Sequence, residues 1–128
     1  LAGAELSDFF TLFPMRRVGS ADLDTVLAEE APEALTVLFL WGRNCPNCDI
    51  AKRAMMTAPE RFQLPDVRWL HDNVYDDFDM ATRFGVHGIP VFFLFHGRRQ
   101  LGRITSWPGS DAFLDVIGQQ LRRIIAAI

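Results

Sequence analysis

The sequence predicts an α/β fold, a central mixed β-sheet flanked by helices, on three observations. Strand-like and helix-like stretches alternate along the chain, the pattern of parallel strands joined by crossover helices. One stretch, LTVLFLW at 35–41, reads as a near-continuous apolar run, as a strand buried on both faces should. Near the end, GIPVFFLF and RQLGRIT are separated only by His96, Gly97 and Arg98, which suits an antiparallel hairpin at the sheet edge.

The elements follow in order. Residues 1–14, ending in FFTLFP, read as an N-terminal extension to a domain spanning 15–128. MRRV at 15–18 reads as a short edge strand. After Ser20, ADLDTVLAEEA brings Leu23, Val26 and Leu27 round at helical spacing, with acids in the first turn. LTVLFLW then supplies the middle of the sheet. From Cys45 to Ala58, Ile50, Ala54 and Met55 recur at helical offsets until Pro59 stops the helix. VRWLHDN at 67–73 is a further strand, and DDFDMATRFG a short helix with Gly85 as its C-cap. Beyond the hairpin, a last helix begins at Gly109 or Ser110. Phe113, Val116, Ile117, Leu121, Ile124 and Ile125 form its apolar stripe.

A chain of 128 residues is one ordinary domain, able to withdraw roughly two thirds of its unfolded surface from water without staples. Hydrophobic residues at 49% supply a core and charged residues at 23% a solvated exterior, so a soluble monomer is expected. A formal charge of -3 offers no general attraction to phosphate backbones or anionic lipid, which removes nucleic acid as a default partner. The longest apolar run, ALTVLFLWG, is about half of the roughly 20 residues that a membrane helix needs, so no membrane insertion is expected. Two cysteines do not settle the compartment; the cytoplasm is slightly favoured over the periplasm.

Both cysteines lie in WGRNCPNCDIAK at 41–52. Proline suits the first position of a helix, because its fixed φ is helical and its missing N–H had no intrahelical partner. Pro46 there makes Cys45 the N-cap, whose sulfur can accept a hydrogen bond from the amide of Asn47 or Cys48. The helix dipole acts in the same direction, so the Cys45 thiol should ionise below its ordinary pKa of about 8.5. Thiolate is the attacking species in disulfide exchange, which makes Cys45 the nucleophile and Cys48 the resolving thiol. Two randomly placed cysteines would fall three apart in roughly one to two placements in a hundred. A metal or iron-sulfur site needs two more ligands, and His71, His87 and His96 are scattered singly, so no metal is expected.

The order strand, W-x-x-x-CxxC, helix, strand, helix, GIP, hairpin, helix resembles the thioredoxin family over residues 15 to about 126. The resemblance implies the thioredoxin fold, a protein thiol-disulfide oxidoreductase activity serving cell redox homeostasis, and no cofactor beyond a Cys45–Cys48 redox disulfide. It implies a cis Ile89–Pro90 bond beside Cys45, with Pro46 and Asn47 supporting the motif. Protein disulfides or dithiols would be the substrates, and another redox protein would reset the pair. The alternative is a binding or assembly module on the same fold with little redox turnover.

Departures from the family pattern W-A-x-W-C-G-P-C-K mark where properties should differ. Trp41 matches; Gly42, Asn44, Pro46, Asn47 and Asp49 do not. Asp49 should repel a thiolate and Arg43 attract one, which suggests an intermediate redox potential. The buried aspartate that commonly serves the resolving cysteine is replaced by Phe39, and His71 takes the place of the lysine that partners it. His71 or Asp72 is therefore the candidate relay for the Cys48 proton. A substrate rim is expected at Trp41, Pro46, Ile89 and Trp107, with His87 nearby to make docking pH-sensitive.

Overall fold

A computed structural model of the chain describes residues 8–127; residues 1–7, half of the expected extension, lie outside the described residues. Helix α1 (Phe9–Leu12) precedes strand β1 (Arg16–Arg17), helix α2 (Leu23–Ala28) and strand β2 (Leu35–Trp41). Helix α3 (Pro46–Thr57) leads through a single 3-10 turn at Pro59–Arg61 into β3 (Val67–Asn73) and α4 (Phe78–Phe84). The hairpin β4 (Val91–His96) and β5 (Arg99–Thr105) and the long helix α5 (Ser110–Ala126) complete the chain.

The five strands lie in the order β1-β3-β2-β4-β5. β2 runs parallel to β3 and antiparallel to β4, so this run, apolar but for Thr36, is the middle strand. β1 pairs with β3 at one edge through two residues only. β5 closes the other edge, and a bulge between Leu94 and Phe95 bends its pairing with β4.

Alternation along the strands divides the core in two. Leu35, Val37, Phe39, Trp69, Phe92 and Leu94 face α1, α3 and α5, where Phe9, Phe13, Ala51, Met55, Phe113 and Ile117 meet them. Leu38, Leu40, Leu70, Val91 and Phe93 face α2 and α4, meeting Leu23, Leu27 and Met80. Each large side chain buried in full contributes about 1.5–3 kcal/mol.

Three details differ from the sequence expectation. Ser20 does not start α2: its N–H and hydroxyl both donate to the Asp77 carboxylate at 2.7 Å, tying the chain before α2 to the start of α4. The helix consequently begins later, at Leu23. On α3 the buried positions are Cys48, Ala51, Lys52 and Met55, while Ile50 is exposed. Ile125 is likewise exposed, and Leu114 takes its share of the α5 contact with the core. Gly85 caps α4 at φ +62, a left-handed conformation that lets its N–H reach the carbonyls of Ala81 and Thr82.

Candidate active site

β2 delivers the motif to the end of the sheet, and a short turn carries it into α3. Gly42 sits where the chain passes closest to its neighbours: a Cβ there would come within 2.5 Å of the Tyr75 ring and 2.7 Å of Ile89. Asn44 then adopts φ +53, a left-handed conformation that asparagine tolerates better than most residues. Cys45 is the N-cap with extended backbone, and Pro46 is the first helical residue. Of the two amides open to the Cys45 sulfur, it is Cys48 N–H that donates, at 3.2 Å.

Cys45 and Cys48 form a disulfide, their Cα atoms 5.2 Å apart. Both cysteines are buried, but Cys45 keeps 8% of its surface and Cys48 none, and Cys45 lies between exposed Asn44, Pro46 and Asn47. The Ile89–Pro90 peptide bond is cis. Its position beside the motif is direct: Cys45 Sγ lies 3.7 Å from the Ile89 carbonyl oxygen.

The structure distributes the other expected site residues unevenly. His87 is exposed and lines a cavity of about 380 Å³ together with Ile89, Pro90 and Ser106. Trp107 is half-buried, its ring 5.2 Å from Phe113 and 5.9 Å from Phe92, so its body belongs to the core under α5. Arg43 bonds Asp76 at 2.6 Å, so its guanidinium already has an anion other than a cysteine sulfur. Tyr75 and Phe78, which the sequence did not single out, are exposed and line a cavity of about 220 Å³ with Ile89.

Register separates the two candidate relay residues. Phe39 pairs with His71 and Leu40 with Asp72, so Phe39 and His71 share the α3 face whereas Asp72 points to the α2 and α4 side. Asp72 is thus on the far side of the sheet from Cys48. It is fully buried, and neither oxygen has a hydrogen-bond partner among the described residues. Burial, then the neighbouring Asp77, push its pKa up to about 8, which keeps it protonated at neutral pH.

His71 accepts a hydrogen bond at Nδ1 from Trp41 Nε1–H, at 3.1 Å, and stacks on Phe10 at 3.8 Å. Burial and then the charges of Arg17 and Lys52 lower its pKa to about 4, so it stays neutral near pH 7. Lys52 is the residue that sequence reading passed over. It is only 5% exposed, and its Nζ stands over the Trp41 ring at 3.8 Å, with Phe10 at 5.4 Å and Phe9 at 5.9 Å. Burial lowers its pKa and Asp49 partly offsets that. Its spacing, four residues after Cys48, was the available signal.

No protein-family model matches the sequence, and no curated protein sequence matches it either. Solved structures do. A mutant thioredoxin from Halobacterium salinarum superposes with TM-score 0.68 at 22% identity, covering 84% of this chain and 90% of that one. Thioredoxin from Trypanosoma brucei brucei gives TM-score 0.67 at 20% identity over 90% of this chain and 94% of its own. Thioredoxin from Fasciola hepatica gives 0.68 at 21% identity, covering 82% and 98%. At such identities the likeness speaks for architecture: the chain has the thioredoxin fold, with a Cys45–Cys48 disulfide at the start of the helix that follows its central strand.

Proposed function

We propose that the chain is a protein thiol-disulfide oxidoreductase working through Cys45 and Cys48, with no cofactor beyond their own disulfide. The observation that carries this reading is the Cys45 sulfur at the N-cap of α3, bonded by the Cys48 amide and joined to the Cys48 sulfur. The helix terminus and that amide both favour the thiolate once the pair is reduced.

In the reducing direction Cys45 thiolate attacks one sulfur of a substrate disulfide. The substrate S–S bond breaks, a mixed disulfide forms, and the released sulfur takes a proton from solvent. Cys48, on losing its proton, attacks Cys45 Sγ; the mixed bond breaks and the second substrate sulfur leaves and is protonated. The substrate has gained two electrons and two protons, and the Cys45–Cys48 disulfide has closed. A separate redox protein restores the dithiol, and the reverse sequence oxidises a substrate dithiol. An extended substrate segment would lie along Trp41, Pro46, Asn47, Ile89 and Trp107, with His87 at its border.

Reduction of insulin by dithiothreitol tests the proposal. The wild-type chain is expected to accelerate it, Cys45→Ser to return it to the uncatalysed background, and Cys48→Ser to accumulate the mixed disulfide. A wild-type rate equal to that of dithiothreitol alone would sink the reading. It would then favour a binding module on the same fold, for which Phe39 is the supporting observation: it is fully buried and stacked on Phe92 at 4.9 Å, where the family commonly has an acid.

A further inference from the structure

Among the described residues, Lys52 is a buried cation without an anion: no salt bridge reaches it. Its surroundings are the rings of Phe9 and Phe10 from α1 and Trp41 from β2. The titratable and charged groups around it are few. Asp49 is on its own helix, His71 on β3 is held neutral, and Arg17 on β1 acts on His71 rather than offering a counter-charge. Aromatic faces attract an ammonium, but they do not neutralise it.

Cys48 is the missing partner by position. Cys48 and Lys52 are four residues apart on the buried stripe of α3, a spacing that puts their Cβ atoms about 5–6 Å apart. Helical side chains lean toward the N-terminus, so a lysine covers the turn before its own Cα, here the turn that carries Cys48. The ammonium stands at 3.8 Å over the ring of Trp41, the last residue of β2, which the turn through Cys45 joins to α3. Cys48 is fully buried, and Phe39 and neutral His71 give its proton no acidic-pair acceptor on this face.

Resting on the oxidoreductase reading, we propose that Lys52 is the counter-ion of the Cys48 thiolate, stabilising that sulfur as it ionises to resolve the mixed disulfide. Cys48 gives up its proton, which ends on the departing substrate sulfur. The new anion faces the Lys52 ammonium, and its electron pair forms the Cys45–Cys48 bond as the bond from Cys45 to the substrate breaks. Each charge favours the other, so the thiol and the amine titrate as a coupled pair. The depressed pKa of Lys52 is relieved when Cys48 ionises.

The reduced chain, mixed in stopped flow with an aryl disulfide whose released thiolate is coloured, separates the steps. The first, concentration-dependent release reports attack by Cys45. The second, unimolecular release reports Cys48. Lys52→Met keeps an unbranched apolar stem in the aromatic cage and is expected to slow the second release about tenfold or more at pH 7, moving its pH midpoint up by about one unit. The first release should change less than threefold, and Lys52→Arg should restore most of the second. Because the methionine variant loses a desolvated charge, its thermal midpoint should not fall, which separates the effect from misfolding. A second release unchanged in Lys52→Met, or one that arginine fails to restore, overturns the counter-ion role while leaving the oxidoreductase reading intact. No coloured release from the wild-type chain overturns both.

Discussion

Phe39 fills the α3 side of the sheet with a fully buried ring, stacked on Phe92 at 4.9 Å. A phenylalanine buried in full contributes about 2–3 kcal/mol, whereas an uncompensated carboxylate in the same place costs several. A phenylalanine at this position therefore favours the fold and offers no proton acceptor. That much was legible in the sequence, because Phe39 lies six residues before Cys45 in a run whose only polar residue is Thr36. Lys52 was not, because a lysine inside a helix reads as a solvated one; its burial depends on Phe9 and Phe10 reaching across from a segment far away in the chain. Gly42 was seen only as a departure from a family pattern, and its cause is Tyr75, whose ring occupies the space that a methyl group would need. Gly42→Ala should accordingly cost about 1–3 kcal/mol in urea unfolding. Adding Tyr75→Ala should recover part of that loss, and strictly additive costs would show that the two do not compete for one space.

At the level of elements, the longer strands were read closely from sequence because each is a stretch of strand length, rich in strand formers or alternating in polarity, between turn residues. LTVLFLW and VRWLHDN match β2 and β3 residue for residue. Helix surfaces were read less well. Ile50 and Ile125 fit an apolar period, yet they face water, since the face a helix buries depends on which neighbour covers it. Ser20 was an attractive helix start until Asp77 took both of its donors, a contact 57 residues away in sequence that no local rule could supply. The α4 terminus, by contrast, follows from one residue. A Cβ at Gly85 would meet nothing within 4 Å, so the requirement for glycine there is backbone conformation alone. Gly85→Ala should cost about 1 kcal/mol by chemical denaturation with no change in disulfide exchange; a neutral result would show that the cap relaxes to negative φ without loss.

For the molecule as a whole, two buried titratable groups set opposing pH dependences. His71 has a folded pKa of about 4 against an ordinary 6.5, so its contribution is complete above 6.5 and is lost as pH falls toward 4. Asp72 has a folded pKa of about 8 against 3.8; its contribution is complete below 3.8 and is lost as pH rises toward 8. Between 4 and 6.5 the two slopes oppose each other, and above 6.5 Asp72 acts alone. Stability should therefore be nearly level from pH 4.5 to 6.5 as far as these groups decide it, then fall by about 1 kcal/mol per unit toward pH 8. Asp72→Asn should flatten that fall in guanidinium titrations at pH 6.5 and 8; an equal fall in the variant would place the ionisation elsewhere. The architecture was legible because the succession of strands and helices along the chain marks a mixed sheet flanked by helices, whereas the charge inventory of the interior was not, since burial of Lys52, His71 and Asp72 arises only when the layers close. The two margins of the sheet carry a final consequence. One is a strand of two arginines, and the other, the seven-residue β5, presents Arg99 and Arg103 beside the bulge in its pairing with β4. Bringing the two margins of neighbouring copies together would set arginine against arginine, which opposes growth of the sheet beyond one chain.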